Sequence, residues 1–217
     1  MPSKTRKPPA RPRAGLSRKA VVDTGATLVD RDGFEQLTMA SLAKELGIAL
    51  PSLYAHVRSL EHLRQQIAAL ATGELGLRMS EAIEGRARSE ALFELGRAYR
   101  AYALQHPGRY VASFTAVDTT DPEQLEAGMR CIRCITAVMR GYELVEAAAT
   151  DAARFLRSSL HGFVSIERIE GFAHPRSREG SFEALLLALD RALSTWPSDS
   201  KPVATGATRT KSKKSSR

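Results

Sequence analysis

No stretch of this 217-residue chain approaches the roughly 18 to 20 uninterrupted apolar residues that a membrane-crossing helix requires, although 43% of its residues are apolar. The sequence reads as that of a soluble protein with no membrane partner. Its N-terminus is basic and proline-rich but lacks the apolar segment that a secretory signal places behind its positive charges, so a cytoplasmic location is expected. Cysteine is scarce. Cys131 and Cys134 form a single Cys-x-x-Cys with no second pair or histidine cluster to complete a tetrahedral site, which excludes a disulfide framework and argues against zinc. Arg130 and Arg133 beside them could lower a thiol pKa, so a thiol sensor stays open as an alternative. No glycine-rich phosphate loop is present, and Ser159 with His161 lacks the acid and the pocket of a catalytic pair. Neither an enzyme nor a cofactor is expected.

Charge is present in excess and unevenly placed. Of the formal +8, residues 1–19 hold +7 and residues 198–217 hold +5, leaving −4 over residues 20–197. Both ends are rich in Lys, Arg, Pro, Ser or Thr and poor in apolar residues, so they cannot offset the entropy of ordering. Disordered basic segments are expected at 1–14 and 197–217, adding salt-sensitive phosphate contacts or serving only to solubilise.

Between the tails the pattern is helical, and we find no convincing strand. Ser17 can cap a first helix in which Val22, Ala26 and Val29 recur at helical spacing, and Gly33 ends it. Thr38 caps a short helix with Leu42, Ala43 and Leu46 inward, and Gly47 stops it where a left-handed residue is wanted. Pro51 suits the first turn of a third helix, through Leu53, Tyr54 and Val57. Further punctuation at Gly73–Gly76, Gly85, His106–Gly108, Thr119–Pro122, Gly141 and Gly171–Gly180 divides the rest into helices near 59–80, 87–106, 107–116, 122–142, 146–170 and 179–195.

Residues 38–57 satisfy the demands of a helix-turn-helix. Two short helices that cross steeply need a small residue at the contact and a turn that admits a left-handed backbone; Ala43 and Gly47 supply these, while Leu42, Leu46, Ile48, Leu53 and Val57 pack the pair against the first helix. An ordinary helical hairpin would not require cap, turn and polarity to agree at once. Binding to double-stranded DNA follows.

The run Leu37-Thr38-Met39-Ala40-Ser41-Leu42-Ala43-Lys44-Glu45-Leu46-Gly47-Ile48-Ala49-Leu50-Pro51-Ser52-Leu53-Tyr54-Ala55-His56-Val57 resembles the DNA-binding head of the TetR family of bacterial transcriptional regulators. Ser159-Leu160-His161-Gly162-Phe163-Val164 resembles, less closely, a Trp-His-Gly element of one group of the family's C-terminal domains, with Leu160 where that group has Trp. The resemblance implies that Thr38 and Tyr54 hydrogen-bond phosphates, that Leu50, Pro51 and Ser52 lie against base edges, and that His56 meets the DNA backbone. The chain departs from the pattern at Ala40, where the tetracycline repressor has a base-reading Arg, and at Leu60, where many members have a phosphate-clamping Lys. Ala49 and Leu50 offer only methyl-type contacts, so thymine methyls, DNA shape and the basic arm are expected to carry more of the discrimination, with Arg58 replacing the missing clamp.

The expected fold is therefore all-α, with a three-helix helix-turn-helix DNA-binding head at 15–75 joined to a helical ligand-binding and dimerisation body at 76–196. Two-fold operators call for a homodimer. By resemblance the last two helices form its four-helix interface, and Phe155, Leu156, Ser159, Phe163, Ile166, Phe182, Leu185, Leu186 and Leu189 are the candidates. The family couples a small-molecule inducer in the body to the spacing of the heads. Tyr99, Tyr102, Phe114, Met129, Cys134, Val138 and Met139 could line that pocket, though each could equally be plain core. The implied function is a repressor released from its operator by a small molecule. A regulator gated by a thiol or a protein partner and a weakly specific architectural DNA-binding protein are the alternatives.

Overall fold

The computed structural model describes residues 16–115 and 120–197, so the basic arm at 1–14 and nearly all of the tail at 197–217 lie outside the described residues. The first helix, α1 (Arg18–Asp32), starts where Ser17 accepts from the Ala20 N–H, and it buries Val21, Val22, Ala26, Leu28 and Val29 on one side. A 3-10 turn at Phe34–Gln36 drops Phe34 into the same core. Then come α2 (Met39–Leu46) and α3 (Leu50–Leu53), followed by α4 (Leu60–Ile83), α5 (Arg88–Gln105), α6 (Pro107–Ala112), α7 (Pro122–Gly141), α8 (Glu146–Arg168) and α9 (Arg178–Ser194). The described residues are all-α, as the sequence pattern implies.

Two expectations need correction. The third helix does not reach Val57: it ends at Leu53, and the N–H groups of Ala55 and His56 bond back only three residues, to Ser52 and Leu53. The chain must leave helical geometry at once because Ser59, at φ −160°, ψ 169°, caps α4 through the His62 N–H. Gly73 and Gly76 do not interrupt α4 either. They sit inside a 24-residue helix and let α7 approach, so that a Cβ on Gly76 would lie 3.1 Å from Cys131 Sγ.

The apolar residues form two cores rather than one. The first gathers Val21, Leu28, Leu42, Leu53, Val57, Leu63 and Ile67; the second gathers Leu92, Leu95, Tyr102, Tyr110, Met139, Leu156, Phe182 and Leu186. Two helices serve both. The first half of α4 fills the head with Leu63, Ile67 and Ala71 and its second half fills the body with Leu75 and Met79, while α6 gives Ala112 to the head and Tyr110 to the body. The body is tied across its helices by Arg100 of α5, whose guanidinium forks onto Glu167 of α8 at 2.8 and 2.7 Å, reaches Glu179 of α9, and lies 4.9 Å over the ring of Phe182.

Candidate nucleic-acid interface and ligand cavity

The head presents its candidate DNA face because its apolar residues leave no alternative. Leu42, Ala43, Leu53 and Val57 are at most 4% exposed, and Ala43 lets α2 and α3 cross closely. Gly47 turns the chain at φ 64°, ψ 33°, a left-handed conformation that costs a glycine nothing, and its N–H satisfies the carbonyl of Lys44 at the end of α2. With these residues inward, Thr38, Ala49, Leu50, Pro51, Ser52, Tyr54 and Arg58 all point to solvent and His56 is half-buried. Tyr54 is 52% exposed, far more than a core tyrosine would be. The sequence reading overlooked Lys44, which is exposed on α2 beside this face. Thr38 is engaged locally: its hydroxyl oxygen accepts from the Ser41 N–H at 3.0 Å, and its N–H donates to Ser41 Oγ at 3.1 Å. Its hydroxyl proton points at Ser41 Oγ, 3.0 Å away, so a phosphate there competes with an existing bond.

Behind the head, Asp30 near the end of α1 reaches the start of α6. One of its oxygens accepts from the N–H groups of Gly108 (3.0 Å) and Arg109 (2.8 Å), and the other pairs with the Arg109 guanidinium and with His106 Nδ1. Arg109 in turn pairs with Glu74 of α4, which also accepts from the Tyr102 hydroxyl. Burial, reinforced by Glu74, raises the pKa of Tyr102 and keeps it protonated as that donor. Gly108 is required here: a Cβ would stand 1.9 Å from the carbonyl oxygen of Val29.

In the body, α4, α5, α7 and α8 surround a cavity of about 350 Å³. Leu75, Met79, Leu95, Ile132, Ile135, Leu156 and Leu160 make its walls apolar, and Tyr99, Phe114, Cys131, Thr72, Ser113, Thr115 and Arg157 add polar or aromatic surface. Two of the expected lining residues, Tyr99 and Phe114, are there. Tyr102, Cys134, Val138 and Met139 instead lie in the packed core, and Met129 is 39% exposed; none of the five borders the cavity. Cys131, one turn before the expected Cys134, is the lining thiol. From the cavity wall a chain of hydroxyls leads to α8: Tyr99 and Tyr110 share a hydrogen bond of 3.0 Å, and Tyr110 lies 2.7 Å from His161 Nδ1. Burial first, then Arg157 and Arg168, lowers the pKa of His161 and favours the neutral ring. Burial pushes the Cys131 thiol up to about 11 and raises Cys134 as well, so both are thiols at neutral pH and the nucleophilic thiolate of a redox sensor is scarce.

The candidate dimer face is narrower than expected. Leu156, Phe182, Leu186 and Leu189 are at most 1% exposed, so they pack their own protomer. Phe155 and Ile166 are 39% and 43% exposed, with Ser159, Phe163 and Leu185 half-buried. Leu187 and Ile169, which the periodic reading missed, are exposed apolar neighbours at 49% and 78%. Among the described residues no cluster of three or more His, Cys, Asp or Glu could hold a metal, and no helix is long and apolar enough to cross a membrane.

An exposed helix-turn-helix face on an all-α scaffold with a separate helical body defines a DNA-binding transcriptional regulator. Residues 92–189 match the family described as tetracyclin repressor-like, C-terminal domain. The chain is 41% identical over 160 residues to an uncharacterized HTH-type transcriptional regulator of Mycobacterium tuberculosis, covering 73% of this chain and 72% of that one. A second such regulator, from Bacillus subtilis, is 32% identical over 161 residues, 74% of this chain and 84% of its own. In fold the chain is similar to a TetR variant of Acinetobacter baumannii in complex with minocycline (TM-score 0.59, 20% identity, 82% of this chain and 95% of that one). The chain belongs to the TetR family of transcriptional regulators, a family whose fold implies DNA binding and dimerisation and whose members act by binding rather than by catalysis.

Proposed function

We propose that this regulator is a homodimeric repressor that a small molecule entering the body releases from operator DNA. The observation that carries the ligand-responsive half of this reading is the cavity of about 350 Å³, a size suited to a small organic molecule, with one of its walls made by α4, which also fills the head. Phe114, at the cavity, packs edge-on against Tyr110 of α6 at 5.1 Å, and the opposite end of α6 is held to α1 by Asp30. A ligand that favours a different seat for α6 would shift the population of head spacings away from the one that fits DNA. The solved structure with minocycline shows that a related fold accommodates a small molecule, which is consistent with this reading.

We assign Thr38, Ala49, Leu50, Pro51, Ser52, Tyr54, His56 and Arg58 to the DNA face, with residues 15–75 as the head and 76–196 as the regulatory body. Phe155, Ser159, Phe163, Ile166 and Leu185 remain as the candidates for self-association. The raised thiol pKa values give a thiol-gated regulator no support.

The test is fluorescence anisotropy of the full chain on its own upstream DNA against random duplex, across a salt series, with Tyr54→Ala alongside. Specific binding that survives moderate salt and falls with Tyr54→Ala is the expected outcome. Equal affinity for both duplexes with a steep salt slope and no effect of Tyr54→Ala would make the protein an architectural binder that depends on its basic tails.

A further inference from the structure

We propose that the cavity of the body selects an amphiphilic organic anion, an apolar body carrying one acidic group, with Arg157 of α8 as the residue that recognises the charge. The inference rests on the reading of the cavity as a ligand site and adds the chemical class of its occupant. Its walls are hydrocarbon over most of their area, contributed by residues such as Leu75, Leu95, Ile135 and Leu156, which suits an aliphatic or aromatic body and disfavours sugars, nucleotides and polyamines. Among the described residues that border it, Arg157 is the one charged side chain, and no carboxylate is among them.

Among the described residues no acid claims the charge of Arg157, whereas Arg97, Arg100 and Arg109 are committed to Glu183, Glu167 and Asp30. The Arg157 guanidinium lies instead over the ring of Phe114, 5.6 Å from the centroid, on the cavity wall. Its field reaches three groups in or beside the cavity, favouring the anionic forms of Tyr99 and Cys131 and disfavouring the cationic form of His161. A carboxylate brought to that point gains a charge-assisted, two-pronged hydrogen bond from a guanidinium exposed at the rim of the cavity. A cationic ligand meets the same field as repulsion and finds no acid among the described residues that border the cavity.

The polar side chains of the wall fit the same orientation. Tyr99 shares a hydrogen bond with Tyr110, and Tyr110 shares another with His161, so the Tyr99 hydroxyl already has a partner within the protein. Arg157 is then the charged group that meets an anion, with the ligand's apolar portion along Leu95 and Leu156.

Isothermal titration calorimetry of the full-length protein with octanoate, octanol and octylamine tests this, because the three share one chain and differ only in head group. We expect octanoate to bind about tenfold or more tighter than octanol, and octylamine to bind weakest. Arg157→Gln should lose that advantage and bring octanoate to within about threefold of octanol, while Arg157→Lys retains part of it. If octanol binds as well as octanoate, or if Arg157→Gln leaves octanoate unchanged, the charge selection is wrong and the ligand site stands. If neither octanoate nor octanol binds, both this inference and the reading of the cavity as a ligand site fall.

Discussion

Asp30 meets Arg109 at both backbone and side chain: one carboxylate oxygen accepts from the Arg109 N–H at 2.8 Å, and the other forms an ion pair with its guanidinium, 2.9 Å from Nε. Each side chain is less than one-fifth exposed, so the pair sits where the head core and the body core meet with little solvent to screen it. Asp30→Ala would leave His106 and the N–H groups of Gly108 and Arg109 without this acceptor, while the Arg109 guanidinium keeps Glu74. A loss of about 2 to 4 kcal/mol in unfolding free energy is expected, measured by urea denaturation. An unchanged midpoint would remove Asp30 as the tie between the cores.

Tyr54 is exposed and makes no hydrogen bond among the described residues that its removal would break. Tyr54→Phe is therefore expected to leave the melting temperature within about a degree and to weaken operator binding by about tenfold, the worth of one hydrogen bond to a charged phosphate. Equal affinity would take the hydroxyl off the DNA face.

Gly47 and Gly108 separate two kinds of glycine requirement. A methyl group on Gly47 would meet nothing within 4 Å, so Gly47→Ala should cost only the left-handed backbone, about 1 to 2 kcal/mol. Gly108→Ala must move Val29's carbonyl, which is backbone, and should be the more destabilising of the two by urea midpoint. The reverse order would mean that α6 can shift off α1 easily.

His161 titrates below its ordinary range because of burial first and the arginines second. Its folded pKa is depressed, so protonation favours the unfolded chain: the stability it contributes is full above about pH 6.5 and is lost as pH falls through the lower folded value. In Arg157→Gln the His161 resonance, followed by NMR, should titrate higher than in the parent, though still below the free value, since burial remains. An unshifted midpoint would place Arg157 too far from the ring for its charge to act.

The head was largely legible in the sequence because its signals are local. Ser17, Thr38, Gly33 and Gly47 each mark a helix end through bonds to residues within four positions, and the structure uses each of them as a cap. Where α3 ends was not legible, since that depends on the extended Ser59 that starts the next helix. The body was legible as helices but not as a site. A stripe on α8 cannot reveal that Leu156 faces inward while Phe155 faces out, because both satisfy the same period. Arg157 reads as an ordinary surface charge until four helices distant in sequence close around the cavity beside it. Cys131 and Cys134 are one turn apart, and only the packing of α7 on α4 distinguishes them.

Because α4 feeds one core with its first half and the other with its second, the two cores can diverge at different rates under selection. Substitutions among Leu75, Met79 and Leu95 reshape the cavity of the body without touching Leu42, Leu53 or Val57, which pack the core of the head. On the proposed reading, a lineage can thus change the small molecule it answers while keeping the head that meets DNA, provided the short α6 and its anchorage on Asp30 are left intact.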